Sequence, residues 1–398
     1  MRIIFLTSKL NFISSGGSIG EFDLKFRTLQ KFGESVRVIT AFSDNNSNLG
    51  GLPYDVIEEH ISSTRLLTIL WGSYKILKKN EGQADVFHVD GHLFLYGAGL
   101  YRALGGKTPI SAFFNRELTC WPLSNSDLFI RMADNALRRA KKKIRWLIEK
   151  NIGMWLANHI DWLSFTNPVL QKCYETFGLV TAQKSMILGD PYDFKTVLKE
   201  GAVTEDSYKE RNTTPHSPLK IFYSGRMVPG KGYDILIEAF SRLKNKNQFK
   251  LILGGDGPEE ALIRSRVKEL GIESYVEFPG WVTKERVFEY FKTADIFIQA
   301  RWRTELTSIT VLEAMTFGLP CILPAGGGLQ WVAKNSALYF KDGDVAELAE
   351  KIKQLGADPE LRAQLSSNCF ARLKEDELNY EIKLKELHAG IKKIAATL

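Results

Sequence analysis

The sequence predicts an α/β protein made of two doubly wound parallel-sheet domains. Three observations carry that expectation. Short apolar, β-branched runs bounded by turn residues alternate with longer segments of helical periodicity, the pattern of strands covered on both faces by helices. The series occurs twice. Between the two lies Glu200 to Lys220, EGAVTEDSYKERNTTPHSPLK, which is polar, carries two prolines and has no apolar period.

In the first series the strand candidates are RIIFLT (2–7), VRVITAF (36–42), DVFHV (85–89), PISAFF (109–114) and WLSFTN (162–167). In the second they are LKIFYSG (219–225), FKLILGG (249–255), YVEFPG (275–280), DIFIQA (295–300), PCILPA (320–325) and ALYF (337–340). Residues 1–200 therefore form one Rossmann-like domain and 201–377 a second. The segment from Ser366 to Leu398 reads as an amphipathic helix rich in Lys and Glu, whose end, about 378–398, packs back on the first domain.

Bulk composition narrows the class. A length of 398 residues exceeds one ordinary core, and 44% hydrophobic with 25% charged residues is a globular balance. The net charge of +7 suits polyanionic partners such as nucleotide diphosphates or anionic lipid surfaces. Four scattered cysteines without a C-x-x-C pair argue for a reducing compartment and against a cysteine zinc site. MRIIFLTSKLNF reads as a first strand and its loop rather than a signal peptide. No apolar run approaches the roughly 18 residues of a spanning helix. A cytoplasmic protein is expected.

Ligands of open α/β sheets bind at the carboxyl ends of the strands. In KIFYSGRMVPGKGYDILIEAF a strand ends at Ser224-Gly225. Arg226, Lys231 and Gly232 follow on the loop before a helix. Two cations there would sit beside a diphosphate, although the spacing is not that of a Walker A loop. Two solvated surface cations is the plainer alternative. After DIFIQA comes a loop, Arg301 to Leu306, and a helix starting near Thr307 or Ser308, stopped by Gly318 and Pro320. Its free N–H groups and dipole favour a phosphate at the same sheet edge.

Glu313 shares that helix's apolar face with Ile309, about 40° away. A carboxylate there could accept two ribose hydroxyls; a T-x-x-E capping box with Thr310 is the alternative. Glu305, just before the helix, would face the sugar end, or pair with Arg301 or Arg303 as an exposed loop acid. Gly16-Gly17, after the first strand, offers backbone able to approach a phosphate. GGDGPEE (254–260) reads as a turn, and neither His88-Val-Asp90-Gly-His92 nor Asp342-Gly-Asp344 has the partners of a metal site. No metal and no cofactor are expected. The run 131–162, with Arg138, Arg139, Lys141, Lys142, Lys143, Arg145 and Lys150 beside Trp146, Trp155 and Trp162, reads either as a basic helix on an anionic membrane surface or as a solvated helix with core tryptophans. No recognition module accompanies it, so nucleic acid is not expected.

Taken together, G225-R226-x-x-x-x-K231-G232, then Glu305 and Glu313 with seven residues between them, then EAMTFGLP and ALYFKDGDVAELAEKI, resemble the family 4 retaining glycosyltransferases of the GT-B fold. The likeness runs from 219 to about 375 and is weaker in the first domain, through Gly16-Gly17. It implies two Rossmann-like domains facing across a cleft, with the carboxy-terminal helix crossing back to the first, acceptor-binding domain. It implies a metal-independent transferase using a nucleotide diphosphate-sugar and a glycan or lipid-linked acceptor. Arg226, Lys231 and Glu305 would be catalytic. Arg226 and Lys231 would grip the diphosphate, Glu313 the ribose and Glu305 the transferred sugar. Leu306, Thr307 and Ser308 would supply backbone N–H groups, and Trp281-Val282 would meet the base. Three positions depart from the family: Asn115 for a histidine, Gly327-Gly328-Leu329-Gln330-Trp331 without the usual acid, and Asp190 for an asparagine. The alternatives are a silent nucleotide-sugar-binding or membrane-surface subunit, or another GT-B activity such as an epimerase.

Overall fold

A computed structural model describes residues 1–12, 18–116, 143–144, 146–201, 216–300 and 306–397, with 140 and 204 besides. The strands are β1 (Arg2–Thr7), β2 (Ser35–Thr40), β3 (Asp55–Glu58), β4 (Val86–Asp90), β5 (Ile110–Phe114), β6 (Trp162–Phe165) and β7 (Ser185–Ile187). A second set comprises β8 (Leu219–Ser224), β9 (Phe249–Gly254), β10 (Val276–Gly280), β11 (Ile296–Ile298), β12 (Cys321–Pro324) and β13 (Ala337–Phe340). Helices of the first half are α1 (Ser18–Lys31), α2 (Leu66–Lys79), α3 (His92–Ala103), α4 (Met154–Ala157), α5 (Pro168–Thr176) and α6 (Phe194–Gly201). Those of the second are α7 (Tyr233–Ser241), α8 (Glu260–Glu269), α9 (Lys284–Thr293), α10 (Ile309–Thr316), α11 (Gly327–Ala333), α12 (Val345–Ala357), α13 (Pro359–Leu373) and α14 (Tyr380–Ala395).

Two parallel sheets result, ordered β3-β2-β1-β4-β5-β6-β7 and β10-β9-β8-β11-β12-β13. The central strands are mostly apolar because helices bury both faces; β4 and β5 are buried at every residue, His88, Asp90 and Ser111 included. The first sheet carries one cluster beneath α2, α3 and α4, with Ile69, Leu95 and Met154, and another beneath α1 and α14, with Phe5, Phe26 and Leu387. The second sheet has one core, running from Ile221 through Phe297 and Ile322 to Leu348.

Each sheet has a crevice where the chain reverses its direction of winding: between β1 and β4 in the first, between β8 and β11 in the second. Side loops diverge there, which makes it the ordinary ligand position of such sheets.

The carboxy-terminal segment is two helices rather than the single helix expected from Ser366 on. Asn379, whose side chain accepts from Glu381 and Ile382, starts α14 afresh. Only α14 crosses back. Leu384, Leu387 and Ile391 are fully buried among first-domain residues, and Gly390 admits the Trp162 indole so closely that a Cβ would stand 2.3 Å from it. His388 meets Glu34 at 2.5 Å, and Lys195 meets Glu381 at 2.8 Å. Strands β3 and β7 had no counterpart in the sequence reading. Both are short edge strands without a fully buried residue, so neither shows an apolar run.

Candidate active site

The loop after β8 is built from backbone contacts that only glycine permits. The Tyr223 hydroxyl donates to the Lys231 carbonyl at 2.8 Å, and the Tyr233 hydroxyl lies 2.7 Å from the Gly225 carbonyl and 2.9 Å from that of Gly254. Met227, fully buried, pins the loop, and its N–H donates to the Asp256 carbonyl at 2.6 Å. Gly255 has φ +112° and a Cβ there would fall 1.9 Å from the Gly225 carbonyl oxygen. GGDGPEE is thus a structural buttress for the β8 loop. Arg226 is left exposed at the sheet edge, with Lys231 half-buried behind it. Val282 packs its Cγ2 against Gly254, 2.8 Å from where a Cβ would stand, while the neighbouring Trp281 is 59% exposed.

On the other side of the β8–β11 crevice, Leu306, Thr307 and Ser308 are buried ahead of α10. Ser308 is the N-cap, in extended geometry, yet its hydroxyl donates to Gln299 Oε1 at 3.0 Å instead of accepting from the helix. The Val311 and Leu312 N–H groups both donate to the Ser308 carbonyl, at 3.1 and 3.2 Å, and the cap side chain accepts from no N–H of the first turn. Thr310 lies inside the helix, which removes the capping-box alternative for Glu313. The Glu313 carboxyl is half-buried, and burial pushes it up to about 7 against the pull of Lys284. Glu305 and the Gly16-Gly17 loop lie outside the described residues.

The first domain supplies a group of charges that the sequence reading did not single out. At the β1–β4 crevice, Lys25 Nζ pairs with Asp90 Oδ1 at 2.7 Å, both side chains fully buried, and stands 4.2 Å over the Phe113 ring. Glu21, one turn earlier on α1, is buried. Its carboxyl is held well above the usual carboxylate range by that burial and by the nearby Asp190. His88 bonds Ser111 at 3.1 Å and is kept neutral by burial. Glu21 Oε1, His88 Nε2 and Asp90 Oδ2 are buried without a hydrogen-bond partner among the described residues. Charged residues spaced four apart on α1, just after a glycine loop, were the available signal.

The two crevices touch. The Thr307 hydroxyl donates to Asp190 Oδ2, Leu306 packs into the first domain's core, and the Leu306 carbonyl is 2.4 Å from where a Cβ on Gly328 would stand. The three departures have structural roles or consequences. Gln330 Oε1 accepts from the Gly326 N–H at 2.6 Å, and the Trp331 ring lies 5.7 Å from the Arg372 guanidinium. Asn115, just after β5, has a buried Oδ1 with no partner among the described residues. Asp344 caps α12 and accepts from Ala346 and Glu347, as a turn residue would. Among the described residues, no three His, Cys, Asp or Glu side chains group as a metal site.

The model of the glycosyl transferases group 1 family matches residues 204–372. The lipopolysaccharide core biosynthesis glycosyltransferase LpsE of Rhizobium meliloti (strain 1021) is 31% identical over 155 residues, 38% of this chain and 44% of that protein. The alpha-monoglucosyldiacylglycerol synthase of Acholeplasma laidlawii is 22% identical over 351 residues, 85% of this chain and 84% of that protein. Anabaena Alr3699/HepE, solved in complex with UDP, superposes with a TM-score of 0.71 at 16% identity, covering 100% of both chains. Sucrose-phosphate synthase from Thermosynechococcus elongatus gives 0.73 at 18%, also over 100% of both. The chain spans 25% to 44% of the length of the first curated relatives it matches. Residues 204–372 are therefore similar to the glycosyl transferases group 1 family, and the chain carries a two-domain α/β fold of the GT-B kind.

Proposed function

We propose that this protein is a retaining, metal-independent glycosyltransferase that moves a sugar from a nucleotide diphosphate-sugar to a glycan or lipid-linked acceptor. The observation that carries the reading is the β8–β11 crevice. It has Arg226 and Lys231 on one lip, and on the other an α10 N-terminus whose cap side chain is turned away from its N–H groups. Cleavage of a glycosyl–phosphate bond builds negative charge on the leaving diphosphate. Preorganised cations and N–H groups lower the barrier by meeting that charge. Each charge-assisted hydrogen bond contributes on the order of 1.5–3 kcal/mol. Glu313 takes the ribose, Val282 meets the base, and Leu306 to Ser308 bind the phosphates. Glu305 faces the transferred sugar and Gly16-Gly17 approaches the donor from the first domain, roles carried by the family resemblance. The acceptor attacks from the face the diphosphate leaves, and a diphosphate oxygen takes its proton. Among the solved neighbours, Alr3699/HepE has been captured with UDP-glucose, which favours a donor of this class.

The test is turnover and thermal-shift screening against UDP-, GDP- and ADP-sugars. Lys231→Ala and Glu313→Ala lose transfer while melting cooperatively; normal turnover in both would sink the reading. Donor binding without consumption across a panel of acceptors would point to a silent binding subunit, and product analysis separates an epimerase.

A membrane-facing acceptor is favoured by a second observation. Residues 143, 144 and 146–148 are helical and continue through a π-helical turn, Glu149–Gly153, into α4. The π turn carries Glu149 inward, where its Oε1 accepts from the Tyr96 hydroxyl at 2.6 Å. Met154 and Leu156 are buried, yet Ile144 (57%), Ile152 (55%) and Trp155 (56%) are exposed, with Leu147 and Ile148 between them. Lys143 and Lys150 flank this ridge. On α2, in the same layer, Leu67 and Trp71 are exposed beside Lys75. An apolar ridge with basic flanks fits the headgroup region of an anionic leaflet, here the cytoplasmic face of a membrane. Among the described residues no helix is long and apolar enough to cross one. The protein should pellet with phosphatidylglycerol vesicles at low salt. The double variant Ile152→Ser/Trp155→Ser should stay in the supernatant; equal pelleting of both proteins refutes the assignment.

A further inference from the structure

The side chain that joins the two crevices is an acid placed where the donor's own charge would arrive. Asp190 follows β7, and its carboxylate accepts the Thr307 hydroxyl. Thr307 directly precedes Ser308, the N-cap of α10. A diphosphate seated on that helix terminus would therefore lie about one residue's breadth from Asp190. Two like charges so close in a partly desolvated crevice repel. At about 6 Å and an effective dielectric of about 20, one unit charge weakens binding by roughly a hundredfold.

The surroundings determine how much of that repulsion is felt. Lys25 is the cation acting on Asp190, but it is already engaged at 2.7 Å by Asp90. Glu21, the other neighbouring acid, is driven towards its neutral form by burial and by Asp190 itself. His88 is neutral and bonded to Ser111. From the second domain the contact is the Thr307 hydroxyl, which stabilises the carboxylate. Burial outweighs these and pushes Asp190 up to about 6.

We propose that Asp190 gates the donor: the nucleotide diphosphate is accepted preferentially with the Asp190 carboxyl protonated, so that donor binding draws a proton from solution onto this side chain. The protonated carboxyl carries no charge and presents an O–H to the neighbouring phosphate oxygen. Released as the anion, it disfavours the diphosphate. This rests on the donor site proposed above and names a specificity-determining residue within it.

The test uses UDP-glucose, GDP-mannose and ADP-glucose, diphosphate diesters whose charge is constant over the range used. Calorimetric dissociation constants are measured for wild type and Asp190→Asn. With Lys25 and solvent reducing the bare repulsion, Asp190→Asn should bind the preferred donor about tenfold tighter than wild type at pH ~8. The two should agree within about twofold at pH ~5, the ratio changing near pH ~6. Glu313 also titrates near neutrality, but it is common to both proteins and cancels in the ratio. Between pH ~6 and ~7 wild type should take up about half a proton more per donor bound than Asp190→Asn, read from buffers of different ionisation enthalpy, the contribution of Glu313 being common to both. Glu21→Gln should keep the pH-dependent ratio. Asp190→Ser serves, in both the affinity and the proton-uptake comparison, if the asparagine variant fails to melt cooperatively. A ratio flat in pH, or equal proton uptake by wild type and Asp190→Asn, overturns the gate while leaving the donor site standing. Wild type that binds none of the three donors overturns both.

Discussion

Replacing Glu313 by glutamine should make the ligand-free protein more stable at pH ~8. The carboxyl is pushed from 4.5 to about 7 by burial, against the pull of Lys284 among the described residues. One pKa unit is about 1.4 kcal/mol of difference between the protonation states, so the buried anion costs the native state roughly 3 kcal/mol. The sign follows from proton counting. Between 4.5 and about 7 the folded form holds this proton and the unfolded chain has released it. Stability therefore falls as pH rises through that window, and the loss is complete above it. Glutamine is nearly isosteric and neutral, so the fall disappears. Urea melts of wild type and Glu313→Gln at pH ~5 and ~8 should show a difference that grows by about 2–3 kcal/mol with pH. In a domain of this size that corresponds to a melting temperature several degrees higher at the alkaline end. Asp190 and Glu21 also shift with pH, but they are unchanged by the substitution. A variant no more stable than wild type at pH ~8, or a difference independent of pH, would refute the reasoning. The same variant should bind donor less well, because the carboxylate whose burial costs the fold is the one assigned to the ribose.

Two further outcomes test the framework around the site. Lys25→Met strands the fully buried Asp90 carboxylate and should cost about 3–5 kcal/mol in urea melts, whereas Lys25→Met with Asp90→Leu should recover most of it. Gly255→Ala should cost at least about 3 kcal/mol, because its φ of +112° and the Gly225 carbonyl 1.9 Å from a Cβ force the backbone to move. Gly230→Ala, with a φ of +85° but open space around it, should cost only about 1–2 kcal/mol. Melting curves that rank the two alike would show that the β8 loop is not braced as described.

Much of the fold was legible in the chain because strands buried on both faces are predominantly apolar. β1, β4, β5, β8 and β9 are therefore readable as runs, and the two series imply two sheets. Edge strands escape that logic: β3 is DVIE and β7 is SMI, each half-exposed and too short to show a pattern. The β8 loop was legible for a related reason, since cations and glycines between a strand and a helix are local chemistry.

What the sequence by itself determined was which residue types stand at strand ends, and that an acid, Glu313, interrupts an apolar helix. Only the tertiary structure decided what those residues meet. Lys25 and Asp90 are 65 positions apart, and Asp190 and Thr307 are 117 apart. No local periodicity encodes such pairs, because they arise from how helices return across each sheet and how one domain's loops reach the other's crevice. The cost of a buried charge is likewise a property of its surroundings, so the displaced acidities of Glu313 and Asp190 belong to the folded molecule alone.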